Sequence, residues 1–206
     1  TQVPAQSLVS GADLLASDAA ARLIADPERL EAALGCTPSG PDDAACFESF
    51  IRTFGRRTFR RPLTEEEVAQ YLELSEFAVE RDDFDEGVEA VLRAMFSAPS
   101  FLYRVEIGEP VDGADGVFAL GDYEVATRLS YFLWGTTPSD ALLDEAEAEQ
   151  LASREGVAAA VSWMMEDERA LDRMTRFHAL WMGYERLPGD YELVEAVGAE
   201  NRALMG

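Results

Sequence analysis

Five arginines, Arg52, Arg56, Arg57, Arg60 and Arg61, crowd into one short stretch of a strongly acidic chain. A guanidinium donates two parallel hydrogen bonds to a carboxylate or phosphate, so such a cluster can form an anion or partner site. It can equally tie acidic helices together through internal ion pairs. With 17 cationic side chains against 40 Asp and Glu, the ion-pair reading is favoured. Arg104 and Glu106 stand two apart in FLYRVEIG, a segment read as extended, where their side chains would share one face. A buried Arg104–Glu106 network joining two halves of the chain is expected, with an active-site arginine as the alternative.

Other reactive side chains point less far. His178 is the only histidine, and without a second His or a Cys pair it cannot nucleate a metal site. It is flanked by Phe177 and Trp181, read as core-facing aromatics. Met164, Met165, Met174 and Met182 read as core filler rather than haem ligands. The run Asp112-Gly113-Ala114-Asp115-Gly116 resembles part of a calcium loop but lacks its spacing and terminal Glu, so a plain turn is expected. No phosphate loop, GxGxxG or GxSxG is present, and no catalytic or metal-binding residue is assigned. Trp134 is the candidate for ligand stacking, and Trp163 or Trp181 would join it in a glycan-binding surface if exposed.

Cys36 and Cys46 bracket the loop TPSGPDDAA. Two thiols alone cannot hold a structural zinc. Their short separation and the Gly and Pro between them suit a disulfide across a turn, with two separate thiols as the alternative. Closing so short a loop stabilises a fold by roughly 2–3 kcal/mol and implies an oxidising compartment.

The elements that must position these residues are helical almost throughout. The chain has 206 residues, 48% hydrophobic and 28% charged, enough for one globular domain or two small ones. Leu14, Leu15, Ala19, Leu23 and Ile24 outline an N-terminal helix, and Pro27 opens a second. Phe47, Phe50, Ile51 and Phe54 share a helical stripe that Pro62 stops. Thr64 with Glu67 is a capping box for the next helix. Phe84, Val88, Val91, Leu92 and Met95 form another stripe. After the turn-rich GEPVDGADG, Asp122 is read as an N-cap, with Val125, Leu129, Phe132 and Leu133 on one face. Ser139 and Ser153 open two further helices, and a last long helix through Leu171, Met174, Phe177, Leu180 and Trp181 ends near Gly183.

The formal net charge of -23 repels nucleic acid and anionic lipid. Every cation is arginine, which suits either a high-salt habitat or a GC-rich genome. No apolar run reaches the roughly 20 residues of a membrane helix, so no membrane insertion by this segment is expected. The first residues lack the pattern of a signal peptide, so any export signal is expected to have been removed or to lie upstream.

Three phrases carry a resemblance: FGRRTFRRPLTEEE (54–67), SAPSFLYRVEIGEP (97–110) and LGDYEVATRLSYFLWGTTPSDALL (120–143). The chain resembles the DUF1595 (PSD5) module followed by DUF1592 (PSD4), found in large extracytoplasmic proteins of planctomycetes and myxobacteria. Arg57, Phe59, Arg60, Arg61, Pro62 and Leu63 match the first pattern. Tyr123, Glu124, Ala126, Arg128, Leu129, Trp134 and Pro138 match the second. In the later F-x-x-Q-W-L phrase, Leu180 stands for the usual Gln and Met182 for Leu.

The resemblance implies further segments before and after, and in many members a c-type haem attachment motif. No CxxCH occurs here, so no cofactor is expected in this chain, with c-type haem confined to other domains of the parent. The fold expected is all-α, two helical subdomains around a shared core with one short extended segment near 101–107. The divisions are 1–45 with the N-terminal helices and Cys loop, 46–110 like DUF1595, and 111–206 like a C-terminally truncated DUF1592. The function expected is a non-catalytic scaffold or interaction module of a larger exported, haem-linked redox protein. Its partners would be other domains of that parent or a periplasmic or cell-surface protein. The alternatives are an oxidative or polysaccharide-active enzyme domain completed by further domains, or a module binding a glycan or small ligand.

Overall fold

Side-chain caps mark out the helices of this chain. The computed structural model describes residues 6–183, 196, 198–200 and 202–203. Among these residues eleven α-helices and one two-stranded sheet form, so the fold is all-α. The chain divides into two compact units, one ending at Val105 and the other beginning at Glu106.

In the first unit, α1 (Gln6–Ile24) is followed by α2 (Pro27–Leu34), which starts with Asp26 as N-cap and Pro27 inside its first turn. Asp26 accepts from the Arg29 N–H, satisfying one of the donors a helix start leaves free, and proline lacks another. Gly35 closes α2 in the left-handed conformation. Helix α3 (Ala44–Phe59) is capped by Asp43, α4 (Glu65–Leu72) by Thr64, and α6 (Phe84–Ser97) by Asp83. A 3-10 turn (Glu73–Ser75) and α5 (Glu76–Arg81) link the last two, and the short α7 (Pro99–Leu102) ends the unit.

The core of this unit lies between α3 and α6. Phe47, Phe50 and Ile51 meet Val88, Val91, Leu92 and Met95, and none of the seven retains any exposed surface. Full burial of each such side chain stabilises a fold by about 1.5–3 kcal/mol. Phe47 stacks on Phe84 at 4.1 Å, and Gly87 lets the Phe47 ring approach the α6 backbone. Ala20, Leu30 and Leu34 join the same cluster, so α1 and α2 share this core. On α1 the buried positions are Ala16 and Ala20, whereas Leu14 and Leu15 face solvent. Cys36 and Cys46 form the disulfide that their spacing suggested, pinning the loop after α2 to the first turn of α3.

The second unit opens with a hairpin of β1 (Glu109–Pro110) and β2 (Phe118–Ala119), paired antiparallel. The extended stretch thus starts at Tyr103, after α7, and runs into β1. Then come α8 (Asp122–Leu133), α9 (Asp140–Glu147), α10 (Arg154–Met164) and α11 (Glu168–Met182). Ser139 and Ser153 cap α9 and α10, and Gly183 ends α11 in the left-handed conformation.

A separate apolar cluster gathers Ala126, Trp134, Leu142, Ala146, Leu151, Ala160, Met164 and Ala170. The buried apolar side chains therefore form one cluster per unit. Three sequence expectations change here. The buried positions of α8 are Ala126, Thr127 and Ser130, continued by Trp134 just past its end, which turns Phe132 outward at 73% exposure. On α11, Phe177, Leu180 and Trp181 are exposed rather than core-facing. Of the methionines read as core filler only Met164 is buried, Met165, Met174 and Met182 being exposed. No described helix is long and apolar enough to cross a membrane.

Candidate functional site

The arginines of the first unit hold backbone and helix caps. Phe59 ends α3, and Arg60 follows in the left-handed conformation with φ of 60°. That turn folds its side chain back under α7. The guanidinium is buried (Arg60 is 5% exposed) and donates to the carbonyls of Thr58 at 3.1 Å, Ser100 and Tyr103 at 3.0 Å, with Phe101 at 3.5 Å. A planar five-donor fork suits this convergence of carbonyls, which a lysine could not serve as a set. FRRPLT and SAPSFLYR, far apart in sequence, meet at this one side chain.

Arg61 turns the other way. Its fork pairs with both oxygens of Glu67, at 2.8 and 2.7 Å, and reaches the Pro62 carbonyl. Glu67 also accepts from the Thr64 N–H while Thr64 Oγ1 accepts from the Glu67 N–H, completing the capping box that the sequence predicts. The Arg61 guanidinium holds the Glu67 carboxyl down to about 2, against the opposing effect of partial burial. Arg52 pairs with Glu65 through two bonds and with Glu48 one turn earlier. Arg56 is half-buried and Arg57 exposed, and both are engaged.

Glu124 is the organising residue of the second unit. Its Oε1 accepts from the Ile107 N–H at 2.6 Å and the Gly108 N–H at 3.3 Å, and its Oε2 accepts from the Gly121 N–H at 2.8 Å. Burial pushes its carboxyl up, but the three N–H donors and Arg128 outweigh that and hold it below its ordinary value. Arg128, one turn along α8, pairs through Nε and Nη2 with Glu106. Glu106 and Arg104 are both exposed rather than buried as expected, and Glu106 pairs with Arg128 of α8. Asp122 is not the N-cap of α8, a place that Gly121 takes; its carboxylate accepts from the Leu151 N–H at 2.7 Å.

Trp134 is 6% exposed and unavailable for ligand stacking. Its Nε1 donates to the Met164 carbonyl at 3.0 Å, the Arg169 guanidinium lies 3.8 Å from its ring centre, and Trp163 packs at 5.4 Å. Arg169 is held in place by Asp167, through bonds of 2.8 and 2.6 Å, and it lowers the Asp167 carboxyl to about 2. Asp167 in turn caps α11. Trp163 is half-buried and donates to Glu145, which leaves Trp181 as the solvent-facing tryptophan. His178 is half-buried on α11, with an Nδ1 that has no hydrogen-bond partner.

Among the described residues no group of three His, Cys, Asp or Glu is placed to hold a metal ion. The hairpin encloses an open concavity of about 470 Å³, lined by Pro110 to Phe118 with Asp112 and Asp115 as its titratable groups. The sequence patterns assign Glu124 no role beyond its match to DUF1592, and Asp167 and Arg169 none. The signals were present as Glu124 and Arg128 one helical turn apart, and as Asp167 immediately before an acidic first turn.

Residues 46–106 match the family described as PSD5, protein of unknown function (DUF1595), and residues 120–203 match PSD4, protein of unknown function (DUF1592). The chain carries a DUF1595 segment followed by a DUF1592 segment. The Arg60 and Arg61 clamps thus lie inside the DUF1595 segment, and Glu124, Trp134 and Arg169 inside the DUF1592 segment. No curated protein and no solved structure matches the chain.

Proposed function

We propose that this DUF1595–DUF1592 chain is a non-catalytic interaction module of a larger exported protein whose redox chemistry resides in haem carried by other domains. One observation carries the reading: the charged side chains best suited to chemistry are committed to the scaffold. Arg60 holds the carbonyls at the end of α7, Arg61 and Glu67 close a helix cap, and Glu124 and Arg169 secure α8 and the Trp134 pocket. A guanidinium that commits three or four of its bonds to backbone and cap groups contributes rigidity to the scaffold.

The Cys36–Cys46 disulfide supports an extracytoplasmic setting, because such bonds persist in oxidising compartments. Covalent c-type haem does not fit this chain, whose two cysteines are bonded to each other. The haem link therefore rests on the family resemblance and belongs to the parent. For glycan binding, paired solvent-facing tryptophans would be needed, and Trp134 and Trp163 are packed against each other. The test is a reduced-minus-oxidised visible spectrum of the full-length protein purified from its host. Sharp c-type bands are the expected result, and a featureless spectrum overturns the redox part of the reading.

A further inference from the structure

The last two turns of α11 present an apolar face to solvent. Met174, Phe177 and Trp181 recur at helical spacing on one side of the helix, with Trp181 at 71% exposure and its ring stacked near that of Phe177. A soluble helix ordinarily turns such a row inward, and an exposed aromatic row marks an interaction surface. Two features on the page say what fits it.

The first is charge. Arg173 and Arg176 border the aromatic row, and neither has a carboxylate partner among the described residues, although Arg22, Arg29, Arg52, Arg61, Arg128 and Arg169 all do. Arg81 and Arg154 are likewise without one, but only Arg173 and Arg176 border the exposed Phe177 and Trp181, where they offer donors to carboxylates from elsewhere. The second is geometry. Arg202 pairs with Asp172 of α11, nine residues before Trp181, which at about 100° per residue lies on the opposite side of the helix. The Arg202 contact thus lies on the face away from the aromatic row.

We infer that this face of α11 docks an acidic amphipathic helix of a partner protein, with its apolar side chains on Phe177 and Trp181 and its carboxylates on Arg173 and Arg176. A second copy fits poorly, because a two-fold contact sets each patch against itself and would oppose arginine to arginine. An anionic membrane fits poorly as well, since its negative charge would face a broad surface of a chain with net charge -23, whereas one helix meets only the local patch within a Debye length. The inference rests on the reading of the chain as an interaction module and names the partner's chemistry.

The test uses the whole chain and two synthetic peptides of about 20 residues, with Leu at helical spacing and either Glu or Lys between. Tryptophan emission is followed at about 0.15 M salt, where charges farther apart than roughly 8 Å are screened and the local patch decides. The Glu peptide is expected to shift the emission to the blue and to bind about tenfold or more tighter than the Lys peptide. Trp181→Ala, which lacks the reporting indole and is followed instead by the anisotropy of a dye-labelled Glu peptide, should abolish the binding. Arg173→Glu with Arg176→Glu should reverse the preference, with helix content by circular dichroism unchanged in both variants. Equal affinity for the two peptides, binding retained in Trp181→Ala, or no binding at all overturns the inference. So does a concentration-dependent dimer by sedimentation that Trp181→Ala dissolves, or binding to phosphatidylglycerol vesicles in place of the Glu peptide. The peptides interrogate α11 alone and the haem spectrum interrogates the parent, so failure of one is distinguishable from failure of the other.

Discussion

Arg60 combines a buried guanidinium with a backbone conformation that ordinary residues avoid, and the two contributions separate by substitution. Arg60→Ala removes the bonds to Thr58, Ser100 and Tyr103 and leaves their carbonyls short of a donor. Each bond to a charged donor contributes about 1.5–3 kcal/mol, but burying the guanidinium offsets several kcal/mol of the sum, so a net loss of about 3 kcal/mol is expected. Arg60→Gly loses the same bonds and relieves the positive φ, which costs a residue bearing Cβ about 1 kcal/mol, so its loss should be about 2 kcal/mol.

Trp134, Trp163 and Trp181 all lie in the second unit, so their fluorescence does not report on the first. Amide hydrogen exchange does: protection in α3 and α6 should fall by about a hundredfold for Arg60→Ala and less for Arg60→Gly. Protection in α9 and α10 should be unchanged. If Arg60→Gly proves at least as damaging as Arg60→Ala, the argument from backbone strain is wrong. If both leave exchange untouched, the carbonyl clamp contributes nothing.

The carboxyls of Glu67 and Asp167 fall to about 2 in the folded state, so their contribution is present in full above the ordinary carboxylate range of about 4 and is lost as pH drops toward 2. Protonating the many other carboxylates relieves self-repulsion over the same range, so the difference is what counts: urea midpoints of Glu67→Gln should depend less on pH between 4 and 2 than those of the parent chain. Replacing Cys36 and Cys46 together by Ser should lower stability by about 2–3 kcal/mol, an effect that added reductant should reproduce in the unmodified chain and not in the double variant. Gly87→Ala would bring a methyl to 2.7 Å from the Phe47 ring and 2.9 Å from Ala78 Cβ. Despite alanine's better helix propensity, this crowding should cost about 1–3 kcal/mol, measured by urea unfolding followed by circular dichroism.

Local chemistry was legible wherever neighbours along the chain decide it. Thr64 and Glu67 form their capping box because both partners lie within one turn, and Ser139, Ser153 and Pro62 act where their types predict. Phe47, Phe50 and Ile51 are buried as their periodicity requires. What was not legible depends on contacts remote in sequence. Arg60 reads as one more ion-pairing arginine until the left-handed turn carries it to carbonyls some 40 positions away. Trp134 reads as a stacking platform until Arg169 and Met164 cover it. Asp122 looks like a cap, but a carboxylate from α8 meets the otherwise open Leu151 N–H before α10. Phe132, Phe177 and Trp181 mislead for a different reason, because periodicity identifies an apolar face without saying whether anything in the same chain covers it.

Arg104 lies exposed in an extended stretch two residues before the second unit begins, and this has a practical use. Proteases require an unfolded strand of backbone, which most of the other arginines here, set in helices, do not offer. The Arg61 bond is followed by proline and is closed to trypsin in any case. Among the described arginines, brief tryptic digestion of the native protein should therefore cut at Arg104 first, between the DUF1595 and DUF1592 segments. Each could then be asked, by itself, whether it still folds.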